Sequence, residues 1–560
     1  MFLDFINEVE ASLTGALESC GFKPEEGINS LAINLTPHAD LSSSVALRLS
    51  PALRKKPASI AAEIYQALPK DHNFIERVEL VGAYLNFFVN QKFLNKILEE
   101  AIANDCWLGS MKQKVIVEHT SANPDGPLHV GHIRNSVIGD TLVRILRRAG
   151  CIVDAQYYIN DMGRQEAMVI WGADHFPLEN IKPDHAIAKV YIAAHKAMEM
   201  RPEIKGEADR IIQRYEAGDP EIEAKIRDLV KFALNGIEET LHKINICHDS
   251  YHWESEFVRN GEVERIVNEL KKTELADWED GAFQLDLNRY GFEKKTILRR
   301  ANGTSLYITR DLAYHRWKAA HCDRMIDILG ADHKLVSSQL KTALRILEIM
   351  EPEVVIFEFV SLPDGSMSTR RGKFITADDL LDEVEKQAFE EVSKRRPDES
   401  EEFRREVARQ VALGAIRYDV VRVSADKATT FDWKQALDFE KLSAPFIQYS
   451  HARACSILRK AEDIESYNPE LLKEKDEVAL IKKIAEFDMV IEKAAKELKP
   501  HQLATYAREL AETFNQFYRY SPVLETGPRL RSARLALVKA AGNALRVTLE
   551  TLGIPALETM

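Results

Sequence analysis

One segment, residues 115–150, constrains the fold most, because it joins a short apolar run to an amphipathic pattern through a proline-containing loop. Residues 115–117 are β-branched and predict a buried strand. Apolar residues then recur at helical spacing from Ile133 until Gly150, so a helix is predicted to start near His129 and to end at the glycine. A strand that leads directly into a helix is typical of a parallel α/β sheet.

The start of this helix carries His129, Gly131 and His132. Free backbone N–H groups and the positive end of the helix dipole favour phosphate oxygens at such a position. Two imidazoles can donate hydrogen bonds to charge that develops on a reacting phosphate, and Gly131 leaves room for a flat adenine ring. A lone histidine is more often structural, but this pair indicates a nucleotide site.

A second segment, Gly365-Ser-Met-Ser-Thr-Arg-Arg-Gly-Lys373, follows the apolar run 354–360. It is basic and bounded by glycines, and we predict a loop that closes over a polyphosphate. The alternative is a solvated turn with ordinary surface charges.

Together the two segments resemble the signature motifs of the class I aminoacyl-tRNA synthetases. His129-Val-Gly-His132 matches the HIGH motif, and Met367-Ser368 matches the middle of KMSKS. More narrowly, the chain resembles an arginyl-tRNA synthetase over nearly its whole length. The other matching pieces are Glu118-His-Thr-Ser-Ala-Asn-Pro124, Tyr157-Tyr-Ile-Asn-Asp-Met-Gly-Arg-Gln165, Tyr307-Ile-Thr-Arg-Asp311, Gln448-Tyr-Ser-His-Ala-Arg453 and residues 543–554.

This resemblance implies ATP-dependent activation of L-arginine and its transfer to the 2′-hydroxyl of the terminal adenosine of tRNA(Arg), with release of AMP and pyrophosphate. It also implies Mg²⁺ as the companion of ATP, and bound tRNA as a requirement for the activation step. The implied catalytic residues are His129, His132 and Arg370, which would stabilise charge on the reacting phosphate. The implied ATP contacts are His129, Gly131, His132, Met367, Ser368, Arg370, Arg371 and Lys373.

The resemblance also implies an arginine pocket, in which carboxylates suit a planar and permanently charged guanidinium. The implied residues are Glu254, Tyr307 and Asp311 for the guanidinium, Asn123 and His129 for the amine and carboxylate, and Glu118 in the pocket wall. Two alternatives stay open. Tyr307 and Asp311 could form a capping or surface pair on a helix, and Glu118 could belong to a strand-end salt bridge.

The chain departs from the family pattern at two places. Both lysine positions of KMSKS are lost, to Ser366 and Thr369, and Gly126 stands where some arginyl enzymes carry a lysine just ahead of HIGH. Arg370, Arg371 and Lys373 are therefore the candidates for the pyrophosphate-side charge. In Gly330-Ala-Asp-His-Lys334, either Asp332 or His333 takes the place of a glutamine that contacts the substrate amine in some relatives.

With 560 residues the chain is too long for one core, and about three or four domains are expected. Residues 1–108 predict a small α+β module with strands in the alternating run 75–89, and in the family such a module contacts the tRNA elbow. Residues 109–400 predict a Rossmann-like parallel-sheet α/β catalytic domain with a helical insertion at about 177–248. The second half of its sheet is predicted to include strands at 283–287, 324–330 and 354–360.

Residues 401–560 predict an all-α anticodon-binding bundle, which includes a helix at 477–498. Aromatic and arginine side chains at a bundle edge can hold unpaired bases, and the tRNA candidates here are Arg453, Arg519 and Tyr520. Phe514 and Phe517 are predicted as core. The stretch 501–546 is locally basic although the whole chain has a net charge of −13, which by itself argues weakly against a nucleic-acid partner.

Composition narrows the remaining possibilities. The six cysteines lack any Cys-X-X-Cys pair, so we predict reduced, mostly buried thiols and no metal site. The N-terminus is acidic where a secretory signal would be basic, and no apolar stretch is long enough to cross a bilayer. We therefore expect a cytoplasmic protein without a membrane partner. The family resemblance implies tRNA(Arg) and L-arginine as partners, no DNA, and a monomer.

The sequence leaves two alternative functions open. One is another class I synthetase, of the cysteinyl or glutamyl type; the cysteinyl type uses thiolate zinc ligands, which this chain lacks. The other is a catalytically idle relative that only binds tRNA or a partner protein. The intact residues His129, Gly131 and His132 disfavour the idle relative.

Overall fold

The structure is a computed structural model that describes residues 1–22, 31–103, 107–361, 376–440, 443–461 and 466–560. In its N-terminal module, helices cover one face of an antiparallel sheet of order β1-β2-β4-β3. The predicted strands at 75–89 are confirmed as the hairpin β3–β4. The elements are α1 (Phe2–Ser19), β1 (Ile33–Thr36), β2 (Ala39–Ser43), α2 (Val45–Leu53), α3 (Pro57–Ala67), β3 (Ile75–Val81), β4 (Tyr84–Val89) and α4 (Gln91–Ala103).

The catalytic domain is built on a sheet of order β12-β11-β5-β6-β7, in which all pairs are parallel. Its first part comprises β5 (Lys114–Glu118), α5 (Val130–Arg148), β6 (Ile152–Ile159), α6 (Arg164–His175), α7 (Pro183–Met200), α8 (Ile204–Glu216), α9 (Pro220–Lys243), β7 (Ser250–Trp253), α10 (Glu254–Arg259) and α11 (Glu262–Leu270). Its second part comprises β8 (Ala276–Glu279), β9 (Ala282–Leu285), β10 (Thr296–Arg299), α12 (Tyr307–His321), β11 (Arg324–Gly330), α13 (Lys334–Ile346), β12 (Glu353–Phe357), β13 (Val360–Ser361) and α14 (Ala377–Arg395).

The strand order reverses at β5, because β6 lies on one side of it and β11 on the other. Ligands of open α/β sheets bind at such a switch point, beyond the carboxyl ends of the strands. Glu118, Asn160, Glu254 and Ala331 all lie at or just after those ends. The fold therefore brings the sequence-predicted residues to one edge of the sheet.

Two predicted strands differ from the structure. Residues 283–287 were expected in the parallel sheet, but β9 pairs antiparallel with β8 and β10 in a separate small sheet. The apolar run 354–360 is divided, because β12 ends at Phe357 and β13 pairs with β14 (Thr429–Thr430) instead. Apolar strands look alike in sequence whichever sheet they join.

The C-terminal part is helical, as predicted. Phe514 and Phe517 are confirmed as core, since both are fully buried. The predicted helix 477–498 is interrupted at Glu486. The elements are α15 (Glu401–Val421), β14 (Thr429–Thr430), α16 (Trp433–Ala436), α17 (Ala444–Lys460), α18 (Lys475–Ala485), α19 (Phe487–Glu497), α20 (His501–Tyr520) and α21 (Pro528–Thr551).

The prediction of mostly buried thiols was wrong. Among the described cysteines only Cys151 is buried and Cys247 is exposed, and all of them are free thiols. A cysteine on an exposed connection costs little stability, so its sequence context gives no signal of burial. Within the described ranges, none of the helices combines the length and apolar character needed to cross a membrane.

Candidate active site

His129 and His132 form a stacked pair at the start of α5, with ring centroids 3.6 Å apart. His129 is the N-cap residue: its Nδ1 accepts the backbone N–H of His132 at 3.2 Å, and the Nδ1 of His132 accepts the backbone N–H of His129 at 3.3 Å. Burial lowers the pKa of His129. Burial and the neighbouring His129 ring together lower the pKa of His132 to about 3. Both rings are therefore neutral at pH 7, with their hydrogen on Nε2.

The predicted loop residues Met367, Ser368, Arg370, Arg371 and Lys373 lie outside the described residues. The residues on either side of the segment 362–375 both contact α5. Thr376 forms a β-bridge with His129, and the buried Arg134 donates to the carbonyl oxygen of Phe359 at 3.2 Å. Thr376 thus lies beside the histidine pair, and Arg134 ties Phe359 to α5.

Glu254, the first residue of α10, is 1% exposed and accepts a hydrogen bond from Arg310 Nε at 2.8 Å. With its amide oriented so that both atoms find partners, Asn160 donates to the other Glu254 oxygen at 2.7 Å. Burial raises the pKa of Glu254, and the same ion pair raises the pKa of Arg310. Both oxygens of Glu254 are thus engaged by the chain itself.

Glu118 and Asp311 lie on neighbouring elements at the same edge. Glu118 Oε2 forms an ion pair with Lys318 at 2.9 Å, so the salt-bridge alternative describes one of its oxygens correctly. Asp311 forms no ion pair with any lysine or arginine among the residues that the structure describes. Burial, with a further contribution from Glu118, raises the pKa of Asp311 to about 6. These carboxylates surround the buried Tyr158, whose pKa they raise in addition to the effect of burial.

Tyr307 begins α12 one helical turn before Asp311, as predicted, and is 47% exposed. Its hydroxyl and the Glu166 carboxyl both lie within 3.4 Å of the point where a side chain on Gly163 would begin. Asn123 donates to Gln165 at 2.9 Å and lies 3.2 Å from the Asn160 amide. A continuous polar wall therefore links Asn123 to Glu254.

Asp332 and His333 are both exposed after β11, with 3.6 Å between the Asp332 carboxylate and His333 Nε2. Both residues lie at the carboxyl edge of the sheet. This is the location required of a residue that takes the place of the glutamine that contacts the substrate amine in some relatives.

A separate cleft of about 460 Å³ lies in the C-terminal bundle. Arg453 stands in its wall between the rings of Tyr449 and Tyr518, at 4.7 and 5.1 Å from their centroids, and donates to Asn515 at 2.5 Å. Arg519 and Tyr520 contact each other at the end of α20, where Tyr520 is 62% exposed. Cations and open aromatic faces suit unpaired bases.

Comparison with known families matches three successive parts of the chain. Residues 95–433 match the catalytic domain of tRNA synthetases class I (R), residues 7–89 match the arginyl tRNA synthetase N-terminal domain, and residues 447–560 match the DALR anticodon binding domain. The chain belongs to the arginyl-tRNA synthetase family.

Curated relatives and solved structures agree with this assignment. The chain is 64% identical to the arginine–tRNA ligase of Methanothrix thermoacetophila and 50% identical to that of Methanococcoides burtonii, over the whole of each chain. The Thermus thermophilus arginyl-tRNA synthetase superposes with a TM-score of 0.85 at 29% identity, covering 99% of both chains. The enzyme is an arginine–tRNA ligase of class I, and its substrates are arginine, ATP and tRNA(Arg).

Several residues of this synthetase site were missed from the sequence. Arg310, Lys318, His315 and Asp327 are all buried: Arg310 donates to Glu254, and Asp327 is bonded to both Lys318 and His315. A charged residue on a helix is usually solvated, so sequence gave no reason to place these inside. The only available signal was the position of Arg310 within Tyr307–Asp311.

Proposed function

We propose that the enzyme forms arginyl-adenylate at the carboxyl edge of its parallel sheet, with His129 and His132 as neutral donors to the reacting phosphate. The observation that carries this proposal is the reciprocal pair of hydrogen bonds from each backbone N–H to the other ring's Nδ1. Each ring is fixed by its own backbone contact, and the Nε2–H of each ring is the group that we assign to a phosphate oxygen. Donors held in place in this way stabilise developing charge without reorganisation.

The guanidinium of arginine binds Asp311, beside Tyr307 and the remaining oxygen of Glu118. We assign the guanidinium to Asp311 because the other two carboxyl groups already have partners: Glu254 forms an ion pair with Arg310, and one oxygen of Glu118 forms an ion pair with Lys318. Asp311 is the pocket carboxylate for which the described chain supplies no cation. Asn123 and His129 orient the amine and the carboxylate, which then displaces pyrophosphate from ATP.

Mg²⁺ accompanies ATP and takes its ligands from the phosphates, which is its common mode of binding in nucleotide enzymes. Two acidic groups of the described chain have the spacing of metal ligands, namely Glu118 with His315 and Asp327, and Asp184 with His185 and Asp378. Each of these groups already contains a lysine ammonium, Lys318 or Lys182. Neither group fits a resident divalent ion.

The activated arginine is transferred to the 2′-hydroxyl of the terminal adenosine, and the bundle cleft around Arg453 holds unpaired bases of the tRNA together with Arg519 and Tyr520. Arg370 supplies the pyrophosphate-side charge in place of the lost lysines, with Arg371 and Lys373 as alternates. The protein acts as a monomer in the cytoplasm.

The test is arginine-dependent ATP–pyrophosphate exchange, measured with and without tRNA(Arg). We expect exchange with arginine that requires tRNA. Exchange with cysteine or glutamate in place of arginine, or exchange that is equal without tRNA, would contradict the proposal.

A further inference from the structure

Two carboxylates lie side by side at the substrate edge of the sheet. Glu118 of β5 and Asp327 of β11 are direct partners in the parallel register, and both side chains are largely withdrawn from water. Like charges in this arrangement repel each other, and the repulsion grows when water is excluded. The sheet can hold both acids only if a cation is placed between them.

Lys318 of α12 is that cation. Its Nζ lies 2.9 Å from Glu118 Oε2 and 2.7 Å from Asp327 Oδ1, and its side chain is 0% exposed. The ammonium group also lies over the Tyr314 ring, 4.4 Å from its centroid. Burial opposes the charged form, but Asp327 and Glu118 outweigh it and raise the pKa of Lys318.

The contacts continue from Lys318 to Asp311. The second oxygen of Asp327 lies 2.8 Å from His315 Nε2, and His315 Nδ1 lies 2.7 Å from the backbone carbonyl oxygen of Asp311. His315 thus bridges the Asp327 carboxylate and the backbone of Asp311 through its two ring nitrogens. A continuous chain of buried contacts therefore runs from the Glu118 carboxylate to the backbone of Asp311, and Glu118 and Asp311 are the two acids that the proposed pocket offers to a guanidinium.

We propose that Lys318 is a positioning residue that sets the specificity of the arginine pocket. It holds one oxygen of Glu118, cancels the charge of that carboxylate and leaves Asp311 as the acid that accepts the single guanidinium. This inference rests on the proposed arginine pocket. The other oxygen of Glu118, which accepts a hydrogen bond from Ser121 at 3.2 Å, remains at the pocket side.

The variant that tests this directly is Lys318→Met, assayed by ATP–pyrophosphate exchange at saturating tRNA. Without the ammonium, Glu118 loses its fixed orientation and competes with Asp311 for the substrate. We expect the KM for arginine to rise by about tenfold or more, the size of a lost hydrogen bond to a charged group, while kcat changes by less than about threefold. An unchanged KM, or equal changes in KM and kcat, would overturn the inference.

Lys318→Met removes the lysine partner of two buried carboxylates and can reduce folding, so a second variant is needed. Lys318→Met combined with Asp327→Asn removes one cation and one acid together and so keeps the net charge of the buried cluster unchanged. It should fold, as judged by its thermal midpoint, and should still show the raised KM. A folded double variant with normal KM would show that Lys318 serves only stability.

Asp311→Asn separates failure of the inference from failure of the pocket, because a normal KM in that variant would overturn the proposed pocket itself. If Lys318 acts through Glu118, adding Lys318→Met to Glu118→Gln should raise KM by less than about twofold further. As a matched control, Lys483→Met removes a lysine that also bridges two carboxylates, Glu486 and Glu509, but in the C-terminal bundle, and it should leave the KM for arginine unchanged.

Discussion

The phosphate end and the arginine end of the proposed active site differ in their electrostatics. At the phosphate end, His129 and His132 are neutral, and each is fixed by a backbone hydrogen bond. At the arginine end, the carboxyl groups of Glu118 and Glu254 are held by Lys318 and Arg310. Neutral hydrogen-bond donors are sufficient for a highly charged triphosphate. A site for a single guanidinium needs one negative charge, so the charge of any further acid in the site has to be cancelled by a cation of the protein. The two ends should therefore respond differently to substitution and to pH.

The largest expected effect is at the phosphate end. In His132→Asn, the amide oxygen can still accept the backbone N–H of His129, but the donor at Nε2 is lost. We expect kcat for ATP–pyrophosphate exchange to fall by about 10²–10³-fold, with the KM for arginine within about threefold of its normal value.

His132→Gln is the matched variant, because its amide nitrogen can take the place of Nε2. It should recover part of the lost rate. If Asn and Gln at this position behave alike, the donor role of Nε2 is wrong and the ring acts through packing on His129.

A smaller effect is expected at the arginine end. Asp311→Asn removes the pocket carboxylate that has no described cation partner, so it should raise the KM for arginine by about 10–100-fold and change kcat much less. Because burial already raises the pKa of Asp311 to about 6, its ionised form destabilises the free enzyme at higher pH. The variant should thus unfold at the same temperature as the parent or higher at pH 8. A large loss of stability would mean that Asp311 is structural.

Sequence predicted the phosphate end better than the arginine end, for a physical reason. The strand, the loop and the helix start at His129 follow from local periodicity and capping, and the structure has β5 and α5 within a residue or two of the predicted bounds. Glu118, Glu254 and Asp311 were named only through family resemblance.

The cations that contact Glu118 and Glu254 lie far from them in the sequence. Lys318 meets Glu118 across 200 positions of sequence, and Arg310 meets Glu254 across 56. No local pattern encodes such pairs, because they depend on the sheet order and on the packing of α12. The antiparallel placement of β9 was missed for the same reason, since strand pairing is a tertiary choice.

A third prediction concerns pH. Asp311 binds a guanidinium only when ionised, so the KM for arginine should rise about tenfold per pH unit below about 6, its pKa in the free enzyme. The imidazoles stay neutral over this range, because burial lowers the pKa values of both. The value of kcat at saturating arginine should therefore stay nearly constant between pH 5.5 and 8. A parallel fall of kcat would show that a histidine of the pair titrates. Asp311→Asn is the control, and its KM should not depend on pH in this range.

The smallest expected effect concerns Glu166, an acid near the arginine end that forms no ion pair with the residues that the structure describes. It is 5% exposed, and neither carboxyl oxygen has a hydrogen-bond partner among the described residues. Burial, and then Asp125 and Glu254, raise its pKa well above the ordinary value. Its neighbours include Val169, Ile170 and Leu229, which form an apolar wall.

Glu166→Met should therefore stabilise the protein by about 1–3 kcal/mol at pH 8, because an unpaired buried polar group is replaced by one that suits the wall. The sign with pH follows from the raised pKa. At low pH the acid is neutral in both the folded and the unfolded chain. As pH rises, the acid ionises first in the unfolded chain, which lowers the free energy of the unfolded chain relative to the folded one. The advantage of Glu166→Met should thus be larger at pH 8 than at pH 5 in urea unfolding, and Glu166→Gln, which keeps the shape and the polar atoms, should show a smaller gain. A destabilised Met variant at pH 8 would mean that Glu166 has a partner that binds it in solution. The contrast between Glu166 and the acids with cation partners, Glu118 and Glu254, would then be wrong.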